Sequence, residues 1–286
     1  MPDNNNRASM NPELSRRRYM QGTAGAGMAG LFGVQGGALA DRDGSTEDTS
    51  FQEELESGEP LYGVSDNMQG ISSAAIVANH PETDWIWVDA EHGSFWIKSI
   101  RQKLATFPEG TASIVRIPGG DAKEVEQVLD AGADGVIVPK KRDPEEVERF
   151  VESAYYPPEG DRGVGGTWPG GPDFGEYSET FDPFVVIQVE TPELVNQIDE
   201  VASIDGIDSL LVGPADLSAT MGVSADSSEF RQAVDRVLSV SKRNDIVPGY
   251  WIGSSDPSQF VEDGWRMLSL GSASGLLTGA ISERIP

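Results

Sequence analysis

Phe184-Val185-Val186-Ile187-Gln188-Val189-Glu190-Thr191 is an almost unbroken apolar run closed by an acid and a hydroxyl. A strand with one wet face would alternate apolar and polar residues. This one does not, so it reads as a parallel strand buried on both faces. Runs of the same kind recur at Leu61–Ser65, Trp85–Asp89, Ser113–Ile117, Gly135–Pro139, Ser209–Gly213, Val247–Ile252 and Arg266–Gly271. Between many of them lie stretches with apolar residues at helical spacing: Asp121–Asp130, Pro144–Ala154, Pro192–Val201 and Ser228–Arg243. Several of these start behind Asp, Ser or Pro, the residues that open helices. Eight such strands with intervening helices predict an α/β fold, a closed (β/α)8 barrel, with an open doubly wound sheet as the alternative. No Gly-x-Gly-x-x-Gly stands in a strand-to-helix turn and no Walker motif is present, so a nucleotide fold has little support.

The chain has 286 residues, no cysteine, two histidines and a formal net charge of −26. The length suits one barrel of about 250 residues. Without cysteine there are no disulfides, thiolate zinc sites, iron–sulfur clusters or cysteine nucleophiles. Two histidines exclude a metal site built on three imidazoles. With 21 basic residues against 47 acidic ones, nucleic acid and anionic membrane surfaces are poor partners. The acids are spread along the chain rather than gathered in a tail. That points to a surface suited to concentrated salt, where screening removes self-repulsion and hydrated carboxylates keep the protein soluble.

The first forty residues differ from the rest. Ser15-Arg16-Arg17-Arg18-Tyr19-Met20 precedes a charge-free, Gly- and Ala-rich run from Gly22 to Ala40. A positive region, a modest apolar region and small residues before Asp41 have the layout of a secretory signal, and the paired arginines resemble a twin-arginine export leader. The expected organisation is a leader over 1–40, an acidic linker and first helix over 41–58, and the barrel over 59–286. The mature chain is expected to contain no membrane span, and export is the expected destination, with the cytoplasm as the alternative. A Gly- and Pro-rich insert, Tyr155 to Pro183, separates the fourth and fifth strands. Loops of that length are usually functional or mobile.

In a parallel barrel the active site lies at the carboxyl ends of the strands. The second run ends Asp89-Ala90-Glu91-His92, the third carries Arg116, and the fourth ends Pro139-Lys140-Lys141-Arg142. The fifth holds Gln188 and Glu190, and the sixth ends Gly213-Pro214-Ala215-Asp216. A buried carboxylate is costly unless paired or metal-bound. Glu190 and Asp216, at neighbouring strand ends, thus form a candidate oxygen-ligand site for a hard divalent cation. Asp89 is placed to orient His92 as a general base, and Arg116 to neutralise a carboxylate or a developing oxyanion. Each residue also has a plainer reading. Glu190 could cap the helix near Pro192, Asp216 could sit in a turn or N-cap, Asp89 and Glu91 could be rim charges, and His92 a loop histidine.

Four segments carry a family resemblance: Asp84–His92, Tyr156–Gly165, Ile187–Thr191 and Val212–Ser218. In order and spacing they resemble the HpcH/HpaI aldolase/citrate lyase family, and the likeness runs from about Pro60 to the end. The resemblance implies a barrel whose last helix is often exchanged between subunits, in dimers or trimers of dimers. It implies Mg²⁺, Mn²⁺ or Co²⁺ on Glu190 and Asp216, and a 2-oxo acid and an aldehyde as small-molecule partners. Backbone N–H groups of Ala215 and Asp216 would hold the substrate carboxylate. Arg116 would contact the keto or enolate oxygen, His92 paired with Asp89 would be the base, and Gln188 would sit beside the metal. The implied reaction is reversible cleavage of a 4-hydroxy-2-oxo acid, sugar-derived or dicarboxylic, to pyruvate and an aldehyde.

Three rivals stand beside it. A lysine Schiff base on Lys140 or Lys141 would need a desolvated amine of lowered pKa. A citryl- or malyl-thioester lyase of the same superfamily would need a basic patch for the coenzyme A phosphates. An exported, non-catalytic 2-oxo acid binding protein would need neither His92 nor Asp89.

Overall fold

The computed structural model describes residues 51–56, 58–93, 97–164 and 181–285. The expected leader and most of the acidic linker lie outside the described residues, as do 165–180 with Trp168 and Phe174 of the insert.

All eight expected strands form, several with ends shifted by a residue: β1 (Leu61–Asp66), β2 (Trp85–Asp89), β3 (Ala112–Arg116), β4 (Gly135–Val138), β5 (Phe184–Val189), β6 (Ser209–Val212), β7 (Val247–Trp251) and β8 (Met267–Ser272). They run parallel in chain order, and β1 pairs with both β2 and β8, which closes the barrel and excludes the open sheet. The helices are α1 (Phe51–Glu56), α2 (Ile71–Ala78), α3 (Ile97–Leu104), α4 (Ala122–Asp130), α5 (Pro144–Ala154), α6 (Pro192–Asn196), α7 (Ile198–Val201), α8 (Pro214–Met221), α9 (Ser228–Arg243), α10 (Pro257–Asp263) and α11 (Ala273–Ser282).

Side-chain caps set where several helices begin. Asp121, Asp143, Ser227 and Asp256 each accept a backbone N–H from the first turn of α4, α5, α9 and α10. The single helix expected over Pro192–Val201 is instead two. Gln197 breaks it at φ −110°, ψ 17°, and its side-chain amide donates to the carbonyls of Glu193 and Arg142, each at 3.2 Å. A tertiary contact to the β4–α5 loop thus replaces a helical residue, which apolar spacing alone does not reveal.

Strand residues alternate between two apolar layers. Leu61, Trp85, Trp87, Ile114, Ile137, Val186, Leu211 and Met267 fill the barrel. Ile86, Val88, Val115, Val138, Ile187, Val189, Leu210 and Leu268 pack outward under the helices. Both faces of each strand are dry, which is why the runs read as continuous. Gly63 leaves room for the Trp85 indole, which a Cβ at that position would overlap. Leu55 and Phe51 of α1 join the inner layer, and Phe51 meets Phe184 edge-on at 5.2 Å. Phe184 begins β5, so α1 plugs the amino-terminal end of the barrel and leaves the carboxyl end for chemistry. No helix among the described residues is long and apolar enough to cross a membrane.

Candidate active site

The carboxyl ends of five successive strands, β2 to β6, bring the expected residues together. Asp89 and Arg116 are register partners at the ends of β2 and β3. The Arg116 guanidinium grips Asp89 with two bonds, Nε to Oδ1 at 2.9 Å and Nη2 to Oδ2 at 2.6 Å. Its face lies 4.5 Å over the Trp87 ring, which in turn meets Trp251 edge-on at 5.2 Å. Nη1 faces Glu91 Oε2 at 3.2 Å and Gln188 Oε1 at 3.4 Å. The group is therefore fixed in plane and in rotation, as an oxyanion-stabilising donor must be.

The expected side-chain pairing of Asp89 with His92 does not form. Arg116 occupies the Asp89 carboxylate, and Oδ1 also accepts the backbone N–H groups of Glu91 and His92 at 3.2 Å. These bonds fold the strand end into a turn and leave the His92 side chain 59% exposed, with Glu91 Oε2 3.6 Å from Nε2. Asp89 thus shapes the loop that carries His92 and does not orient its ring.

Glu190 is not a helix cap. The neighbouring Thr191 caps α6, its hydroxyl accepting the Leu194 N–H at 3.4 Å. Glu190 is instead 1% exposed at the mouth, held by the Lys140 backbone N–H on Oε1 and by Gln188 Nε2 on Oε2, both at 2.7 Å. Burial, then repulsion from Asp216, pushes its carboxyl up to about 7. Asp216 is exposed in the first turn of α8, whose N-cap is Gly213 with no side-chain cap bond. First-turn N–H groups such as those of Ala215 and Asp216 have no partner within a helix. A Cβ on Gly213 would come within 2.8 Å of Gln188 Nε2 and 3.3 Å of Glu190 Oε2, so glycine lets the start of α8 close on the β5 end.

Two further residues belong to the site. Glu91, which the sequence presents as a rim charge, has a side chain only 6% exposed and meets both Arg116 and Lys140, the latter at 2.6 Å. Glu91 lies in the turn just beyond β2, where strand alternation no longer places a side chain, so the sequence carries no local signal for it. Lys140 links Glu190, through its N–H, to Glu91, through its ammonium. Its pKa is raised, chiefly by the Glu91 hydrogen bond, which is the opposite of what a Schiff-base lysine needs. Lys141 reaches away to the Gly119 carbonyl at 3.1 Å.

The residues present fit a divalent cation. Four carboxylates, on Asp89, Glu91, Glu190 and Asp216, gather around two cations, Arg116 and Lys140, so full ionisation leaves an excess of negative charge. Each Glu190 oxygen carries one described hydrogen bond and keeps a lone pair for a ligand role. No cluster of three or more His, Cys, Asp or Glu ligands occurs among the described residues, so a cation here would rest on two protein carboxylates. An all-oxygen set of that kind suits a hard ion that keeps water or substrate ligands.

The model of the HpcH/HpaI aldolase/citrate lyase family matches residues 67–280. The chain belongs to this family. It is 30% identical to a hydroxypyruvate/pyruvate aldolase of Delftia acidovorans, over 80% of this chain and 88% of that protein. It is 34% identical to a 4-hydroxy-2-oxovalerate aldolase of Novosphingobium aromaticivorans, over 66% and 75%. An HpcH/HpaI aldolase/citrate lyase family protein from Burkholderia cenocepacia superposes with a TM-score of 0.76 at 28% identity, covering 82% of this chain and 96% of that one. The protein is thus an enzyme of the aldehyde-lyase kind, and the non-catalytic alternative falls. Members of the HpcH/HpaI family generally depend on a divalent metal.

Proposed function

We propose that this HpcH/HpaI family member is a divalent-metal-dependent pyruvate aldolase, cleaving a 4-hydroxy-2-oxo acid reversibly to pyruvate and an aldehyde. The observation that carries this is the Glu190–Asp216 carboxylate pair beside the fixed Arg116 guanidinium at one barrel mouth. Glu190 and Asp216 would hold Mg²⁺, Mn²⁺ or Co²⁺, and the chemistry such an ion supplies when bound is Lewis-acid polarisation of the 2-oxo acid.

The remaining roles fall to the chain. The first-turn N–H groups of Ala215 and Asp216 receive the substrate carboxylate. Gln188 donates to Glu190 and keeps its carboxylate aimed at the mouth. In cleavage His92, exposed at the rim, takes the proton of the 4-hydroxyl group. The C3–C4 bond breaks, the hydroxyl carbon becomes the aldehyde carbonyl, and the electron pair passes into the pyruvate enolate. Arg116 donates to the oxygen that gains negative charge. Protonation at C3 then gives pyruvate.

The decisive measurement is exchange of pyruvate methyl protons with deuterated solvent, followed by NMR. Exchange that requires a divalent ion and stops on chelation supports the reading. Its absence with every ion tried would remove it.

The same reading extends to two further expectations. Residues 1–40 serve as a twin-arginine export leader, tested by sequencing the mature N terminus. Copies of the chain associate through α11, whose Leu276, Leu277 and Ile281 are exposed.

A further inference from the structure

Strand β7 presents two aromatic residues to opposite sides. Trp251 turns into the barrel against Trp87, and Tyr250 turns outward beneath α9 and α10. There a cavity of about 370 Å³ opens to the surface outside the barrel, and none of the mouth residues lines it. Its inner wall is aromatic. Tyr250 meets Phe260 with ring centroids 4.9 Å apart and Trp265 edge-on at 5.0 Å, and Phe230 of α9 adds a fourth ring. The volume falls within the range of small-molecule sites, roughly 300–1,000 Å³.

The rim carries charge where the fold itself does not favour it. Arg231 stands close to the start of α9, where the helix dipole disfavours a cation. Asp263 is the last residue of α10, where the dipole disfavours an anion. Asp235 follows Arg231 by one turn, but base before acid is the poorer order for a helical ion pair. Among the described residues the side chains of Arg231 and Asp235 make no hydrogen bond or ion pair, although Arg236 and Arg243 of the same helix both pair with Asp199. The Asp263 carboxylate accepts the Gln259 amide at 3.2 Å, and Lys242 bonds the Asp263 backbone carbonyl. One positive and two negative groups, all exposed, thus edge an aromatic pocket. In a chain with 21 basic residues against 47 acidic ones, packing gives no reason for an unpaired arginine there.

We propose that this cavity binds a small zwitterion in which a methylated ammonium is joined to a carboxylate, as in glycine betaine. Aromatic faces attract such a cation through the ring quadrupole. A quaternary ammonium has no N–H to leave unpaired, whereas a primary ammonium would need acceptors that an aromatic wall lacks. Asp235 and Asp263 add negative potential on the cation's side, and Arg231 receives the carboxylate. A ligand of zero net charge also escapes the repulsion that an anion meets from a chain of net charge −26. The site lies on the outer side of β7, so it is independent of the aldolase chemistry. Occupancy ties α9 and α10 to β7 and stabilises the fold by mass action.

The test is calorimetric titration of the full-length protein at constant salt with four probes. They are glycine betaine, glycine, tetramethylammonium and the anion of tert-butylacetic acid, in which carbon replaces the charged nitrogen. Glycine betaine should bind at a single site, about ten-fold or more tightly than glycine or the carbon isostere. Arg231→Gln should weaken glycine betaine about ten-fold and leave tetramethylammonium unchanged, while Phe260→Leu weakens both. Thermal stabilisation by glycine betaine should saturate in wild type and be lost in Arg231→Gln, whereas mere exclusion of the solute from the surface would raise both alike. Saturating pyruvate with Mg²⁺ should leave the affinity unchanged. No binding, equal affinity for the carbon isostere, or an Arg231→Gln variant that binds as wild type overturns the proposal. Competition with pyruvate would move the site to the mouth and overturn it as well. So would an oligomer that Phe260→Glu disperses, since a second copy would then fill the cavity. None of these outcomes bears on the aldolase reading, which pyruvate proton exchange tests separately.

Discussion

Arg116 shows how a residue can be legible while its partners are not. A lone arginine at a strand end in an acidic chain stands out, and so do Glu190 and Asp216 at neighbouring strand ends. What stays hidden in one dimension is who shares a carboxylate with whom. Asp89 lies three residues before His92 and looks like its orienting acid, but the register that places Asp89 beside Arg116 gives the guanidinium first claim. Lysine cannot reproduce that two-bond grip. Arg116→Lys is expected to lower kcat by about a hundred-fold or more, near 3 kcal/mol, while far-UV circular dichroism stays unchanged. Glu190 gives a second test, through pH. Its carboxyl is raised in the folded protein to about 7, above its ordinary 4.5. A raised acid favours the fold fully below its unfolded pKa, and that contribution is lost as pH rises through the folded value. Metal-free wild type should therefore lose stability relative to Glu190→Gln as pH rises from about 4.5 through about 7, by up to roughly 3 kcal/mol. Divalent cation should restore wild type and not the variant. Denaturant unfolding at the two pH values measures both effects, and a difference that does not change with pH would contradict the assignment.

At the scale of elements, the strands were legible because both of their faces are dry, and the capped helices because Asp121, Asp143 and Ser227 announce their starts. The joints between elements were not legible. Lys103 of α3 and Asp66 at the end of β1 are separated by 37 residues, and both side chains are fully buried in one ion pair. The Lys103 ammonium also bonds the Met68 carbonyl. Helical spacing assigns a lysine to the wet face, so nothing local marks this one as internal. The pair fixes the β1–α2 loop, from which Asn67 holds Ser274 at the start of α11 through its amide at 2.9 Å. Removing one partner strands the other charge. Lys103→Met should cost about 3–5 kcal/mol, and the double variant Lys103→Met, Asp66→Leu should recover much of it. Chemical denaturation of the single and double variants measures this, and equal losses in both would show that the ion pair is not the source of the cost.

For the whole molecule, the charge of −26 and the bare face of α11 have to be considered together. The charge was legible at once, since it needs only counting. The face was not, because α11 reads as an ordinary terminal helix until its surroundings are seen. Leu276, Leu277 and Ile281 are each about half exposed, and Ile285 follows just beyond the helix. The helix itself carries no charged residue. Burying a leucine or isoleucine contributes about 1.5–3 kcal/mol, so covering this face with a second copy would favour association by several kcal/mol before the cost of losing free motion. Two copies of so acidic a chain repel each other, and the repulsion reaches about 10 Å in 0.1 M salt but only about 3 Å in 1 M. Association should then be the first thing lost as salt is diluted. Light scattering in molar salt is expected to show an oligomer that falls to monomers at low ionic strength, before the circular dichroism of the barrel changes. Leu277→Glu with Ile281→Glu should give monomers even in molar salt. A wild type that stays monomeric in molar salt would sink the α11 interface, and a barrel that unfolds before its copies separate would place the salt requirement within the fold and not between copies.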